Sequence, residues 1–537
     1  MNEEKPRSSG DTLFTNCTVL TGDGSTASAV ALRGDKVLMV GSDRQVREHL
    51  APGARVVDAA GGFLMPAFHD SHLHLTQHGF ELGQVDLHSA QTLGEGIARV
   101  AQRAARQPVG SWVLGAGFAL QRWGVTSLDR HMLDEVAPHH PVLLRSQDHH
   151  SAWANSAALE RAGVSAATPD TADGTLVRDE TGEPTGLLLE RALHLVWDVI
   201  PEPDSAAIRG AIRRAAADLA GRGIATVHHM AYEPAAYWRE VALAASDERF
   251  ELRVWACVNQ EEIEHAREIG LATGQGGPGF IIGGAKFFAD GALGSRTAWM
   301  LEPYAGTEEV GVAVHGPDVL AERYPLAIEN GLTPVTHAIG DAAARAVIDA
   351  LEATAPQWRE RGLRPRLEHA QHLAAEEVGR IARLGVVASV QPIHLTFDVP
   401  SISTLLPDRK ERAYRIRELL EAGVPLAFGS DTPVAPPDVF AGTRAACYRR
   451  GVDGDLLCPE QAIGVDQALA AYTSGAAYAI GREGSSGRLA PGFDADIVLL
   501  SHDPRASLDD LRVRATLKGG TPTHDPEGLF ESGYTRA

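Results

Sequence analysis

The chain has 537 residues, too many for one simple core, so a large domain with at least one smaller companion is expected. Apolar content of 44% and charged content of 22% are ordinary globular values, and 49 basic against 70 acidic side chains leave a formal charge of −21. That balance, with no dense basic patch, argues against nucleic acid or an anionic membrane as a partner.

The four cysteines (Cys17, Cys257, Cys447 and Cys458) form no CxxC, so neither a thiolate zinc site nor a disulfide framework is suggested. The first residues lead into no apolar core of the signal-peptide kind, and no run approaches a membrane span, so the cytoplasm is the expected compartment.

Residues 12–60 read as short strands separated by Gly- and Asp-bearing turns, the pattern of hairpins. The pattern returns over 487–500 and 513–520. Neither terminal piece has enough strands for a stable sheet alone, so the two ends are expected to build one small β domain together. The tail after Pro522 is expected to be irregular.

Between the ends, strand-like runs alternate with helical stretches, which indicates βα units and a parallel sheet. Eight runs are counted, at 63–68, 224–228, 252–258, 280–287, 332–337, 364–369, 386–391 and 424–430, with helices such as 341–353 and 408–422 between them. The expected fold class is α/β: a (β/α)8 TIM-like barrel, with the active site at the C-terminal ends of its strands. A doubly wound open sheet is the structural alternative. The boundaries expected are 1–61 and 485–537 for the halves of a composite β-sandwich and 62–484 for the barrel. About 150 residues separate the first run from the second, far beyond a normal βα loop. Residues from about 82 to 222 are therefore an insertion after the first barrel strand, expected to cover the site.

The chain is organised around the stretch 62–75, in which an apolar run ends in His72-Leu73-His74. Residues two apart in a strand share a face, and two imidazoles on one face make half a cation site. With 22 histidines in the chain, an HxH alone is weak evidence, and two polar residues at a strand end is the bland alternative. Later strand ends add to it: Lys286 on the fourth run, His337 on the fifth, His369 on the sixth and Asp431 on the eighth. Each also has a plain reading: a lysine reaching water, a core histidine, a turn cap before Pro433. Together at one rim they are a metal-compatible set.

In that order, HxH, Lys, His, His and Asp on eight strand ends resemble the metal-dependent amidohydrolase superfamily. The phrases "PAFHDSHLH", "DHHSAWANSAAL", "GEPTGLLLE", "KFFADGALGSRTA", "THAIGDAA", "RLEHAQ" and "FGSDTPV" narrow the resemblance to the amidohydrolase family 3 branch that includes N-substituted formamide deformylases. "GRLAPGFDADIVLL" resembles that branch's terminal sandwich. Two departures are His69, where relatives often carry Ile or Leu, and His228-His229, where they often carry an acidic residue.

The resemblance implies a first metal held by His72, His74, Lys286 and Asp431, and a second by Lys286, His337 and His369. A lysine ammonium has no lone pair to donate, so the resemblance further implies a Lys286 carboxylated to a bridging carbamate; an unmodified Lys286 leaves a one-metal site. Nitrogen and oxygen ligands suit Zn2+, and also Mn2+, Fe2+ or Co2+. Asp431 is then the catalytic residue, general base toward water and acid toward the leaving amine. The expected activity is hydrolysis of a C–N bond in a small amide-like molecule, an N-formyl or N-acyl amine. The alternatives are a carbamate, lactone or ester hydrolase on the same site, and a non-catalytic binding or regulatory protein. A homodimer is the assembly considered.

For substrate contacts, His150 and Trp153 are candidate wall residues, or else pack the insertion's own core. Phe118 and Trp123 are expected in that core. Arg296 is a candidate clamp for a substrate carbonyl or carboxylate, or a partner in a structural ion pair. Asp290 is expected to orient a ligand, and Asp341 to cap the helix after the fifth strand.

Overall fold

The computed structural model describes residues 10–146, 150–171, 173–532 and 535–536. Eight parallel strands form the barrel in chain order: Phe68–Leu73, Ile224–His229, Arg253–Asn259, Phe280–Phe288, Pro334–Ala338, Arg366–His369, Val387–Val390 and Leu426–Phe428. Each pairs in parallel with the next. The ring is nearly closed just beyond the last strand, where Leu73 bridges Thr432 in parallel. There Asp431 N–H donates to the His72 carbonyl at 2.6 Å and His74 N–H to that of Thr432 at 2.9 Å. The strands read as unbroken apolar runs because both faces are covered, the inner by side chains of the other strands and the outer by helices.

The first expected run, 63–68, is divided between two sheets. Phe63–Pro66 pairs with Thr18–Leu20 and with Ile497–Leu500 outside the barrel, and the barrel strand starts at Phe68. Pro66 has no amide hydrogen with which to continue a ladder. The chain then changes partners within two residues: Ala67 N–H donates to Asp496 and Phe68 N–H to Gly223. Both halves are wholly buried, so one apolar run covers the two.

Of the two helices named from sequence, Asp341–Ala353 forms as expected. Asp341 does not cap it: Gly340 holds the cap position, and the Asp341 carboxylate accepts instead from Leu301 N–H at 2.8 Å and Arg412 at 2.7 Å. The second stretch is interrupted. A 3-10 turn, Pro407–Arg412, is followed by a bend at Tyr414 (φ +51°), and the α-helix runs only over Ile416–Glu421. Burying the Tyr414 ring so that its hydroxyl donates to Asp398 at 2.7 Å is incompatible with a continuous helix.

Both chain ends contribute to two further sheets. One orders Thr535–Arg536, Arg55–Asp58, Asp11–Thr15, Ala29–Arg33 and Lys36–Gly41; the other orders Thr521–His524, Val513–Lys518, Ile497–Leu500, Phe63–Pro66, Thr18–Leu20 and Thr26–Ala27. Phe14, Val19 and Leu64 share one core cluster with Ile497, Leu517 and Phe530. Among the described residues, the tail after Pro522 carries the end of the strand Thr521–His524 and a short helix, Leu529–Ser532, against expectation. Asp525 accepts from the backbone N–H of Leu529 and Phe530, and the Phe530 ring meets Phe14 edge-on at 5.9 Å.

Residues Thr76–Arg214 form a separate compact unit. Its six-stranded sheet orders Gly174–Arg178, Pro184–Glu190, Ser151–Ala154, Val142–Ser146, Val113–Phe118 and Val85–Asp86. Gln147 lies outside the described residues, as do Asp148 and His149, the first two residues of the phrase "DHHSAWANSAAL". All four cysteines are free, and no helix among the described residues is long and apolar enough to cross a membrane.

Candidate metal centre

The strand ends named from sequence meet inside the barrel mouth. His72 and His74 lie on the same face of the first strand end, and their Nε2 atoms stand 3.4 and 3.3 Å from one oxygen of Asp431. Each ring is turned by a bond on its other nitrogen. His72 Nδ1 lies 2.6 Å from Glu368 Oε2, and His74 Nδ1 lies 3.0 Å from the Ala231 carbonyl. A carbonyl and an ionised carboxylate only accept, so both Nδ1 atoms carry the proton and both Nε2 lone pairs point to Asp431. His337 has the opposite tautomer, donating through Nε2 to the Gly291 carbonyl at 3.0 Å and freeing Nδ1.

His369 sits between them, its ring 4.7 Å from that of His72 and 4.4 Å from that of His337. Its Nδ1 is buried with no hydrogen-bond partner among the described residues. Both His369 (φ +71°) and Asp431 (φ +61°) are held in the left-handed region, a strain that costs roughly 1–3 kcal/mol each and clusters at functional sites. Donor atoms of His72, His369 and Asp431 all lie within 4.8 Å of one another, close enough to share one cation.

Lys286 is 1% exposed, and its Nζ has no hydrogen-bond partner among the described residues. Burial pushes its pKa down, against the pull of Glu368 and Asp431. Burial, reinforced by Lys286, likewise pushes His72 down to about 4 and His337 to about 3, and burial beside His337 lowers His369 well below its ordinary value. The three imidazoles are therefore neutral at pH 7, with lone pairs available. The Asp431 carboxyl is shifted well below the usual carboxylate range, against the rise that burial alone would give.

Beneath the rim lies a second layer absent from the sequence reading. Arg366 and Glu368 alternate on the sixth strand, both 0% exposed, with Arg366 Nε 2.7 Å from Glu368 Oε1. Burial would raise the Glu368 carboxyl; the Arg366 guanidinium and the bond from His72 hold it well below its ordinary value. Arg366 also donates to the Ser71 carbonyl at 2.7 Å and meets His228 Nδ1 at 3.0 Å, so His228 supports this layer. His229 bonds Glu233 at 2.9 Å. Asp70 ties the first and eighth strand ends together, accepting the Ser430 hydroxyl at 2.5 Å and the N–H groups of Ser430 and His72. Burial raises the Asp70 carboxyl to about 6. His69 lies 3.2 Å from the Ser486 hydroxyl, with its ring edge-on to that of His228 at 5.8 Å. A cue was present in "RLEHAQ": opposite charges two apart in an apolar strand share its inner face and must pair there.

The remaining candidates divide. Asp290 accepts from the N–H groups of Trp299, Ile339 and Gly340 and lies 3.5 Å from His337 Nε2, so it fixes the loops around that ring; burial raises it to about 7. Arg296 is exposed and makes no ion pair with described residues. Trp153 is fully buried in the insertion's own core with Phe118 and Trp123, its indole N–H donating to the Asp129 carbonyl at 3.2 Å. His150 lies at the surface of that unit, 3.0 Å from Glu190.

A parallel eight-stranded barrel with four histidines, a buried lysine and an aspartate at its C-terminal mouth defines the architecture of a barrel hydrolase with a candidate cation site. Comparison with known families agrees: residues 55–524 match the amidohydrolase family, and the chain belongs to it, in its family 3 branch. It is 33% identical over 517 residues to the putative amidohydrolase YtcJ of Bacillus subtilis, covering 93% of this chain and 96% of that one. It is 28% identical over 541 residues to the N-substituted formamide deformylase of Arthrobacter pascens, covering 96% and 99%. Among solved structures, an uncharacterized metal-dependent hydrolase from Pyrococcus horikoshii superposes with a TM-score of 0.77 at 28% identity, covering 96% of this chain and all of that one.

Proposed function

We propose that the protein is a metal-dependent hydrolase that cleaves the C–N bond of a small amide-like molecule, an N-formyl or N-acyl amine. The observation that carries this reading is the set of nitrogen donors gathered around one carboxylate. The Nε2 lone pairs of His72 and His74, Nδ1 of His369 and Nζ of Lys286 all sit at one rim beside Asp431. Nδ1 of His369 and Nζ of Lys286 are buried without a partner among the described residues, and leaving a buried polar atom unsatisfied costs roughly 1–3 kcal/mol, so two in one place mark a site built for a cation. The donor set fits one or two divalent ions, with Zn2+ the expected metal. His72, His74 and Asp431 would hold the first, His337 and His369 the second, and Lys286, carboxylated by CO2 in its neutral form, would join them.

Bound there, such an ion polarises the substrate carbonyl and brings the pKa of water to roughly 7. The protein's own groups complete the reaction. Asp431, ionised at neutral pH, takes the proton of the attacking water as its oxygen bonds to the carbonyl carbon. It returns that proton to nitrogen as the C–N bond breaks, since an unprotonated amine is a poor leaving group. Glu368 and the Ala231 carbonyl keep His72 and His74 facing Asp431 throughout. The distant likeness to a formamide deformylase supports an amide over an ester as the bond cleaved.

The test is Asp431→Asn, assayed on a panel of small formamides, acetamides and matched esters. Most bound metal is expected to remain while kcat falls by about 10²–10⁴-fold. Full turnover by the variant would remove Asp431 from this role, and a wild-type protein that hydrolyses only the esters would replace the amide reading.

A further inference from the structure

The inner face of the first three barrel strands carries polar side chains that the metal centre does not use. Thr226 on the second strand is in register with His69 on the first and Arg253 on the third, and His228 is in register with Trp255. Registered neighbours in a sheet point to one side of it, and residues two apart share that side. His228 meets Arg366 of the sixth strand, across the ring, so the side is the inner one. His69, Thr226, His228 and Trp255 are each 3% exposed or less. The His228 ring lies 5.8 Å from that of His69 and 5.6 Å from that of Trp255.

Four buried polar atoms of this cluster have no hydrogen-bond partner among the described residues: His69 Nδ1, Thr226 Oγ1, His228 Nε2 and Trp255 Nε1. Each such orphan is costly, and four together call for an occupant that satisfies them. His69, Thr226 and Trp255 line a small cavity with Arg253, Arg482 and Ser486, in which the centre of a water-sized sphere has about 10 Å³ of free space. That is room for a single molecule of water's size.

The chemistry of the four atoms narrows the occupant further. Trp255 Nε1 only donates. His228 Nδ1 accepts from Arg366, so its Nε2 carries the hydrogen and donates as well. The Thr226 hydroxyl accepts, and so does His69 Nδ1 when the His69 Nε2 hydrogen goes to the Ser486 hydroxyl at 3.2 Å. Two donors and two acceptors are the complement of one water. An anion is disfavoured, because the guanidiniums around the cluster already have carboxylates: Arg253 with Asp496, Arg482 with Asp494 and Arg366 with Glu368, each at 2.7 Å. A bare charge added there would be buried without a counter-ion.

We infer that the barrel floor holds a built site for one buried water molecule, which accepts from Trp255 and His228 and donates to Thr226 and His69. It sits at the far end of the buried chain that starts at His72 and runs through Glu368 and Arg366 to His228. The water therefore completes the hydrogen bonding of the layer that orients a metal-centre imidazole. The site stands whether or not the protein is a hydrolase.

Crystals of the full chain grown with sodium bromide test it. The expected result is a spherical peak without anomalous bromide signal, about 2.7–3.2 Å from at least three of the four named atoms. No peak, a peak reaching fewer than three, or an anomalous bromide signal there overturns the site. Thr226→Val, nearly equal in shape but lacking the hydroxyl, gives a second reading by urea unfolding. With water bound, the variant leaves it one partner short, and the unfolding constant is expected to rise about 2- to 10-fold. A constant below that of the wild type is what an orphaned hydroxyl in a dry cavity would give, and it overturns the inference without a crystal.

Discussion

Replacing Glu368 by Gln changes one oxygen to an amide nitrogen in the buried chain that joins Arg366 to His72. The consequences follow from the contacts. Both carboxylate oxygens are engaged, Oε1 with Arg366 Nε at 2.7 Å and Oε2 with His72 Nδ1 at 2.6 Å. A glutamine side chain has one acceptor, so its NH2 group must face a second donor on either Arg366 or His72. The Arg366 guanidinium, fully buried, loses its counter-charge. Breaking a buried pair from one side costs about 3–5 kcal/mol, roughly two to four powers of ten in the unfolding constant. With the NH2 group turned to His72, that ring loses the bond that fixes its tautomer, and loss of such a supporting partner lowers metal affinity about 10–100-fold.

The assays are urea unfolding of the metal-free protein and zinc titration against a competing chelator. A paired variant, Arg366→Met with Glu368→Leu, removes both charges and is expected to recover much of the stability while leaving zinc binding weak, because His72 still lacks its acceptor. Acid should mimic the single substitution. The Glu368 carboxyl is held well below its ordinary value of 4.5, so its contribution is complete at neutral pH and is lost as the pH falls below that value toward its folded pKa. A Glu368→Gln protein with the wild-type urea midpoint and the wild-type zinc affinity would refute this account of the second layer.

Two further outcomes follow from groups already described. Lys286→Met removes a buried amine that has no hydrogen-bond partner among the described residues, so the metal-free protein should be as stable as wild type or more so by about 1–3 kcal/mol, while zinc per chain by plasma mass spectrometry falls from two toward one. A less stable metal-free variant with two zinc ions would contradict both statements. Asp496→Asn removes the close partner of Arg253, which reaches Asp496 through two nitrogens at 2.7 and 3.1 Å and would keep only Asp494 at 3.9 Å, and should lower stability in urea by about 3 kcal/mol; no change would show the pair to be dispensable.

The rim was legible in the sequence because its residues end unbroken apolar runs, where a histidine, lysine or aspartate has no packing role to explain it. Arg366 and Glu368 were harder, since inside a strand they look like a local charge pair and only closure of the barrel brings His72 against them. The division of residues 63–68 between two sheets could not be read from periodicity. A strand buried in the sandwich and one buried in the barrel are both continuous apolar runs, and only the position of Pro66 hints at the change. Asp341 illustrates a different limit. An acidic residue at a helix start suits the cap and the first turn equally, and the choice was made by Arg412, 71 residues away.

The pairing of the first barrel strand with the eighth has a consequence for biosynthesis. A ribosome makes His72 some 360 residues before Asp431, and the strand pair Phe63–Pro66 and Ile497–Leu500 is separated by still more chain. Throughout elongation the early strands have open hydrogen-bonding edges and unburied apolar faces, the features that invite aggregation and chaperone binding. Asp431, made just after the eighth barrel strand, is also the last residue of the donor set to arrive. A nascent or truncated chain thus has no assembled donor set, and any uptake of an ion at the candidate site would wait until the whole barrel has closed.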